Sequence, residues 1–122
     1  MKLFQRKCVL EETGYHLGGI GGVFTVKSYR RRGIAVRMLH LGMLGLKELG
    51  ADVAYLCTDM GNLSELYWSF GFRHMVQGHT YLGKSGKRYT EKDGMMAPVN
   101  SVNIFMSLMR SKLPIDIGVG NW

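Results

Sequence analysis

The chain has 122 residues, 46% hydrophobic and 20% charged, the make-up of one globular domain with a single core and not of a disordered segment. Its formal net charge of +7 predicts an anionic partner, for which nucleic acid, a phosphorylated cofactor and an acidic lipid surface all qualify. No stretch approaches the about 18 consecutive apolar residues of a membrane helix, and the opening MKLFQRKCVLEE lacks the hydrophobic region of a secretory signal. Cys8 and Cys57 stand in neither CxxC nor zinc-ligand spacing, so they are expected as free thiols in a reducing compartment. No repeat, linker or low-complexity tract divides the chain. A single cytoplasmic domain over residues 1–122 is the expectation.

In chain order, residues 3–12 alternate unevenly as a strand does, and Thr13-Gly14 is a turn signal. Residues 15–26 are predicted as the antiparallel partner in a hairpin. Gly18, Gly19, Gly21 and Gly22 are unusual inside a strand and mark a bulge or a close approach of a ligand to the backbone. Phe24 breaks a GxGxxG reading, and no Walker lysine pattern is present. The turn after residues 23–26 carries Arg30, Arg31 and Arg32, followed by Gly33 and Ala35. Small residues there allow backbone amides to approach a ligand, and a helix start supplies unpaired N–H groups and partial positive charge. The pattern predicts an anion site.

Over residues 35–49, Val36, Leu39, Met43 and Leu46 fall on one helical face, with Gly50 as the stop. Gly42 and Gly45 within it suggest close packing on a sheet. The apolar run at 53–57 then reads as a buried strand parallel to the earlier one, completing a right-handed βαβ unit. Asn62 caps a second helix over 63–70, with Glu65 three residues on, an apolar stripe of Leu63, Leu66, Tyr67 and Phe70, and Gly71 as its end. Residues 72–82 and 88–99 are predicted strands around a GKSGK turn, 103–112 a helix, and 114–122 an extended tail. His74 and His79, five apart on one predicted strand, would point to opposite faces, so no metal site is expected.

These residues carry a family resemblance. The run TVKSYRRRGIA resembles the cofactor loop of the GCN5-related N-acetyltransferases (GNAT), Arg/Gln-x-x-Gly-x-Gly/Ala, through Arg30, Gly33 and Ala35, with Tyr29 ahead of it. NLSELYWSFGF is similar to the second family motif through Asn62, Tyr67, Gly71 and Phe72. The resemblance covers roughly residues 15–75. It implies an α/β fold with a mixed, mostly antiparallel sheet flanked by helices. Lys27 stands where proline is frequent and Arg31 where glycine is common. The family usually places a strand, two helices and another strand ahead of the hairpin. Only about twenty residues precede Gly21 here, so an N-terminally shortened version is expected.

The resemblance further implies transfer of an acetyl group from acetyl-CoA to the primary amine of a small molecule, by direct attack in a ternary complex. By position, the amides around Arg30, Arg31, Arg32, Gly33, Ile34 and Ala35 would hold the pyrophosphate. Val23, Phe24 and Thr25 would pair with the pantetheine arm, an amide near Thr25 polarising the thioester carbonyl. Asn62 would contact the pantetheine, and Tyr67 would protonate the departing thiolate. Cys57 ends a strand near the thioester, and a nucleophilic role for it is a weaker idea. The general base stays open among Glu11, Glu12, His16, Asp59 and the carboxylate after Trp122. A sheet short of its first strands would expose an edge, which predicts a homodimer. The alternatives are a non-catalytic CoA-binding or structural remnant of the same fold and a basic nucleic-acid-binding module. Without a recognition helix or aromatic platform, the expectation is neither a nucleic-acid nor a membrane partner.

Overall fold

A computed structural model of the chain describes residues 2–21, 32–57, 64–92 and 94–120. It begins with a hairpin, β1 (Lys2–Leu10) and β2 (Thr13–Gly21), paired without a break from Leu10↔Thr13 to Lys2↔Gly21. The turn is Glu11-Glu12, two residues earlier than Thr13-Gly14. Both glutamates have positive φ, 46° and 71°. A two-residue hairpin loop needs that backbone to follow the twist of its strands, so the loop length overrides the residues' preference. Glycines 18, 19 and 21 cause no bulge against β1.

The helix α1 (Arg32–Glu48) starts three residues before the predicted position. Leu39 and Leu46 are fully buried, whereas Val36 is 43% exposed. The apolar stripe therefore meets the core only from its second turn onward. Gly50 (φ 83°) closes the helix, with Ala51 N–H donating to Leu46 O at 3.0 Å and Gly50 N–H to Lys47 O at 3.2 Å. This crossed pair satisfies carbonyls that the helix end leaves open. Next, β3 (Val53–Cys57) pairs in parallel with β2, completing the βαβ unit. A second helix, α2 (Ser64–Ser69), ends the same way at Gly71: Phe72 N–H donates to Tyr67 O at 3.1 Å and Gly71 N–H to Trp68 O at 3.0 Å.

The predicted strand at 72–82 is two strands. After β4 (Arg73–His74), a turn closed by Gly78 N–H donating to Met75 O at 3.0 Å redirects the chain into β5 (His79–Leu82). Residues 88–99 likewise divide into β6 (Arg88–Glu91) and β7 (Gly94–Pro98). The result is a five-stranded sheet, β1-β2-β3-β7-β4, and a three-stranded sheet, β6-β5-β8. Of the six strand pairs among the described residues, β2–β3 and β5–β8 are parallel and the others antiparallel. His74 and His79 thus belong to different sheets, for a reason the strand alternation could not supply. Helix α3 (Val102–Arg110), capped by the Ser101 hydroxyl that accepts from Ile104 N–H at 3.1 Å, leads to β8 (Ile115–Val119).

Alternation along β3 and β7 sends side chains to two cores. Ala54, Leu56, Met95 and Ala97 pack with Leu39 and Leu46 of α1 and with Tyr67 of α2. Val53, Tyr55 and Met96 pack with Leu108 of α3 and with Ile115 and Ile117 of β8. Gly18 has a steric reason to lack a side chain: a Cβ there would lie 2.8 Å from Leu46 Cδ2 and 2.9 Å from Ala51 Cβ. Arg6 ties the hairpin to the last strand, its Nη1 donating to Ile117 O at 2.8 Å and to Gly120 O at 2.9 Å.

Cys8 and Tyr15, facing partners across the hairpin, are buried in the second core. Burial pushes the Cys8 thiol above its ordinary 9.0 and drives the Tyr15 phenol far above its ordinary 10.0. Each group's folded value lies above its unfolded one, so stability is full below the thiol's ordinary range. It falls as pH rises, because the unfolded chain releases protons that the folded chain keeps. Urea midpoints should therefore drop between about pH 8 and about pH 10.5. Cys8→Ala should flatten the first part of that decline, and an unchanged midpoint over this range would contradict the assignment.

Candidate active site

The five-stranded sheet forks in its middle. Between β2 and β3 the rungs are Leu17↔Val53, Gly18↔Ala54 and Gly19↔Tyr55. Both strands run on for two residues, with no further rung among the described residues. On the outer sides pairing continues, to Gly21 opposite Lys2 and to Cys57 opposite Gly94. The unbroken outer ladders hold each arm of the fork in place. Backbone groups of Ile20 and Leu56 thereby face a gap instead of each other, at the carboxyl ends of two parallel strands. That end of an α/β sheet is where ligands usually bind.

The N-terminus of α1 lies at this end of the βαβ unit. Residues 32–35 form its first turn, which contains no acidic residue. Its free N–H groups and partial positive charge are thus uncompensated from within the helix, which suits an anion. Arg32, Gly33, Ile34 and Ala35 are placed in this turn by their backbone. Val23, Phe24, Thr25, Arg30, Arg31 and Asn62 lie outside the described residues, as do the candidate base Asp59 and the chain end.

Tyr67 is brought to the fork on one face of the sheet. It is 2% exposed and shares a core with Ile20 and Leu56, the first residues past the last rung. Its ring meets Phe72 edge-on at 6.1 Å between centroids. The two crossed hydrogen bonds at the end of α2 fix that pair, so the Gly-Phe following the helix also positions the tyrosine. The remaining candidate bases are scattered. Glu11 and Glu12 are exposed at the hairpin turn, at the other end of β2 from the fork. His16 lies beside Asp52 at 3.9 Å near the start of β3.

On the opposite face the fork is flanked by a pair that the sequence reading missed. Tyr55, at the last β2–β3 rung, has its hydroxyl 2.8 Å from Nε2 of His79, and both residues are 0% exposed. The rings meet edge-on at 5.2 Å. Gly94 makes room for them: a Cβ there would be 2.8 Å from Tyr55 Cε2 and 3.0 Å from His79 Nδ1. A glycine opening one strand and a histidine opening another were the available signals. Nothing in their spacing joined them. A separate groove of about 490 Å³, lined by Glu65, Trp68, Ser69 and His74, lies along α2 and the edge strand β4. Among the described residues no three His, Cys, Asp or Glu side chains group to hold a metal ion. No described helix is long and apolar enough to cross a membrane.

Comparison with known proteins bears on this geometry. Residues 1–75 match the family described as an acetyltransferase (GNAT) domain. No curated protein matches. Among solved structures, the chain is similar to one in the crystal structure of the NatC complex bound to Gag peptide and CoA, at 18% identity and a TM-score of 0.48. That similarity covers 79% of this chain and 58% of the other, so the chain spans little more than half of the solved chain's length.

Proposed function

This chain belongs to the GNAT acetyltransferase family, and from that membership we propose that its single domain transfers an acetyl group from acetyl-CoA to the primary amine of a small molecule. The observation that carries the reading is the fork after Gly19 and Tyr55, with the acid-free first turn of α1 at the same end of the sheet. A fork exposes backbone donors and acceptors to an extended arm, and a helix start accepts a pyrophosphate. The geometry fits a molecule that combines the two.

In this reading the amides of residues 30–35 bind the pyrophosphate, helped by the charge of Arg30, Arg31 and Arg32. Val23, Phe24 and Thr25 bind the pantetheine as an added strand, and an amide near Thr25 donates to the carbonyl oxygen as it gains charge. Asn62 orients the arm. Acetyl-CoA supplies the activated acyl group and a thiolate leaving group. Tyr67, held among apolar side chains, delivers a proton toward that leaving group. The amine attacks directly, without an acyl-enzyme.

Calorimetry at moderate salt should register acetyl-CoA binding to the wild-type chain, and Gly33→Glu should weaken it by at least about tenfold by setting a carboxylate on the anion-binding turn. Equal behaviour of the two proteins would sink the cofactor site. Thiol release across a panel of amines should identify an acceptor. Binding with no turnover on any amine would favour a non-catalytic CoA-binding relative.

A further inference from the structure

We propose, resting on the acetyl-transfer reading above, that Glu91 and Tyr89 of the edge strand β6 bind the ammonium group of a primary alkylamine acceptor, on the face of the sheet opposite Tyr67.

The path of the chain brings β6 to the fork. It leaves the five-stranded sheet at Met75, whose N–H donates to Gly94 O at 3.2 Å, and re-enters it at Gly94, opposite Cys57. Cys57 stands two residues past the last β2–β3 rung, so the β5–β6 hairpin is rooted at the open end of the fork. Glu91 is three residues before Gly94, which keeps their Cα atoms within about 11 Å. The order of the second sheet points the same way. Arg6, opposite Leu17 of the first rung, holds β8, and Tyr55 of the last rung holds His79 of β5. Strand β6 lies on the other side of β5 from β8, the next step toward the open end.

The side chains of β6 suit a cation. Tyr81, Tyr89 and Glu91 share one face of the hairpin with His79, by strand alternation. The Tyr81 hydroxyl donates to Glu91 Oε1 at 3.1 Å, which aims the carboxylate, and Glu91 is half-buried, so a ligand from solvent can reach it. Tyr89 is 39% exposed and stacks on Tyr81 at 5.5 Å between centroids. Its ring already takes a cation: Lys87 Nζ lies 5.5 Å from the centroid, within cation–π range. A carboxylate and an aromatic ring two residues apart on one strand face suit the charged head and first methylenes of an alkylammonium. No other described carboxylate is rooted there. Glu11 and Glu12 lie at the other end of β2, Glu48 and Asp52 flank the start of β3, Glu65 belongs to α2 on the Tyr67 side, and Asp116 pairs with Arg88 at 3.5 Å.

The probe is hexylammonium, with hexanol as its uncharged counterpart, titrated into the CoA-loaded chain and followed by NMR of the tyrosine rings. Wild type should bind hexylammonium at least about tenfold more tightly than hexanol, and Glu91→Gln should abolish that preference. Glu91→Asp, which keeps the charge, should retain part of it. Glutamine still offers an oxygen to the Tyr81 hydroxyl, so the urea midpoint should not move. Lys87→Ala, which clears the Tyr89 ring, should bind at least as tightly as wild type. With the best amine of the panel, Glu91→Gln should raise KM by about tenfold or more and leave kcat within a few-fold. That is the pattern of a group that holds substrate and transition state alike.

A wild-type chain that prefers hexylammonium no more than hexanol, a preference that survives Glu91→Gln, or a loss confined to kcat would overturn the ammonium site. Acetyl transfer survives any of these results if acetyl-CoA still binds and thiol is still released. Absence of acetyl-CoA binding would instead remove the donor, and with it the acceptor role of β6. Should Glu91→Gln destabilise the hairpin, Tyr89→Leu keeps bulk and removes the aromatic face. It should cost about threefold in hexylammonium affinity and nothing in hexanol affinity, and equal effects on the two would overturn the site.

Discussion

Tyr67→Phe is expected to lower kcat for thiol release by about 10²–10⁴-fold, the usual contribution of a positioned general acid. Binding of acetyl-CoA should change little. The argument turns on what the substitution preserves. Tyr67 is buried in the core shared by α1, α2 and the fork, and its ring packs on Phe72. Phenylalanine keeps that packing and removes one oxygen, so the cost in stability should be no more than about 1.5 kcal/mol. Activity and stability are thereby separated in one variant. If the variant retains wild-type kcat across the pH range, Tyr67 is a core residue and the thiolate takes its proton elsewhere.

Leu46→Ala should be the most damaging single truncation on the α1 side, costing about 2–5 kcal/mol in a denaturant titration. Leu46 is fully buried and packs directly over Gly18, and its carbonyl accepts the hydrogen bond that ends α1. The same contact makes the reverse change costly: Gly18→Ala places a methyl 2.8 Å from Leu46 Cδ2, and overpacking of this kind costs about 1–3 kcal/mol. The two changes should not add. Removing the Leu46 side chain empties the space that the new methyl needs, so the double variant should be more stable than the sum of the singles predicts by at least about 0.5 kcal/mol. Strict additivity would mean that helix and strand have moved apart and that the close approach is not maintained in solution. Because α1 carries the proposed anion-binding turn at one end and Leu46 toward the other, destabilisation here should also weaken acetyl-CoA binding if that proposal holds.

Much of this architecture is legible in the sequence where a residue's local role and its tertiary role agree. The βαβ unit is of this kind: the apolar stripe through Leu39 and Leu46, the stops at Gly50 and Gly71, and the buried run at 53–57 each say the same thing locally and globally. Tyr67, Gly71 and Phe72 of the second motif sit on α2 and at its end for the same reason. The turn at Glu11-Glu12 was not legible, because a two-residue loop imposed positive φ on residues that do not prefer it. The divisions within residues 72–82 and 88–99 were hidden for another cause. Both halves of each segment carry β-forming residues, and only the turn signals Gly78 and Asp93-Gly94 mark the change of sheet. Tyr55 read as one apolar residue in a buried run. Its pairing with His79 is made by two sheets meeting, which no spacing in the chain encodes.

The two hydrogen bonds from Arg6 also constrain how the protein comes to be folded. They join the first strand to carbonyls 111 and 114 residues later, and β8 enters its sheet only by pairing with β5, in parallel. Contacts so far apart along a chain must be closed at a large entropic cost before they return any stabilisation, which slows folding. During synthesis the β1–β2 hairpin emerges well before β8, and Cys8 and Tyr15 wait without the strand that covers their face until Val119 has been made. For that interval an unpaired strand edge and an apolar surface face the cell together. This is the form in which chains of this kind are most open to chaperones, proteases and one another.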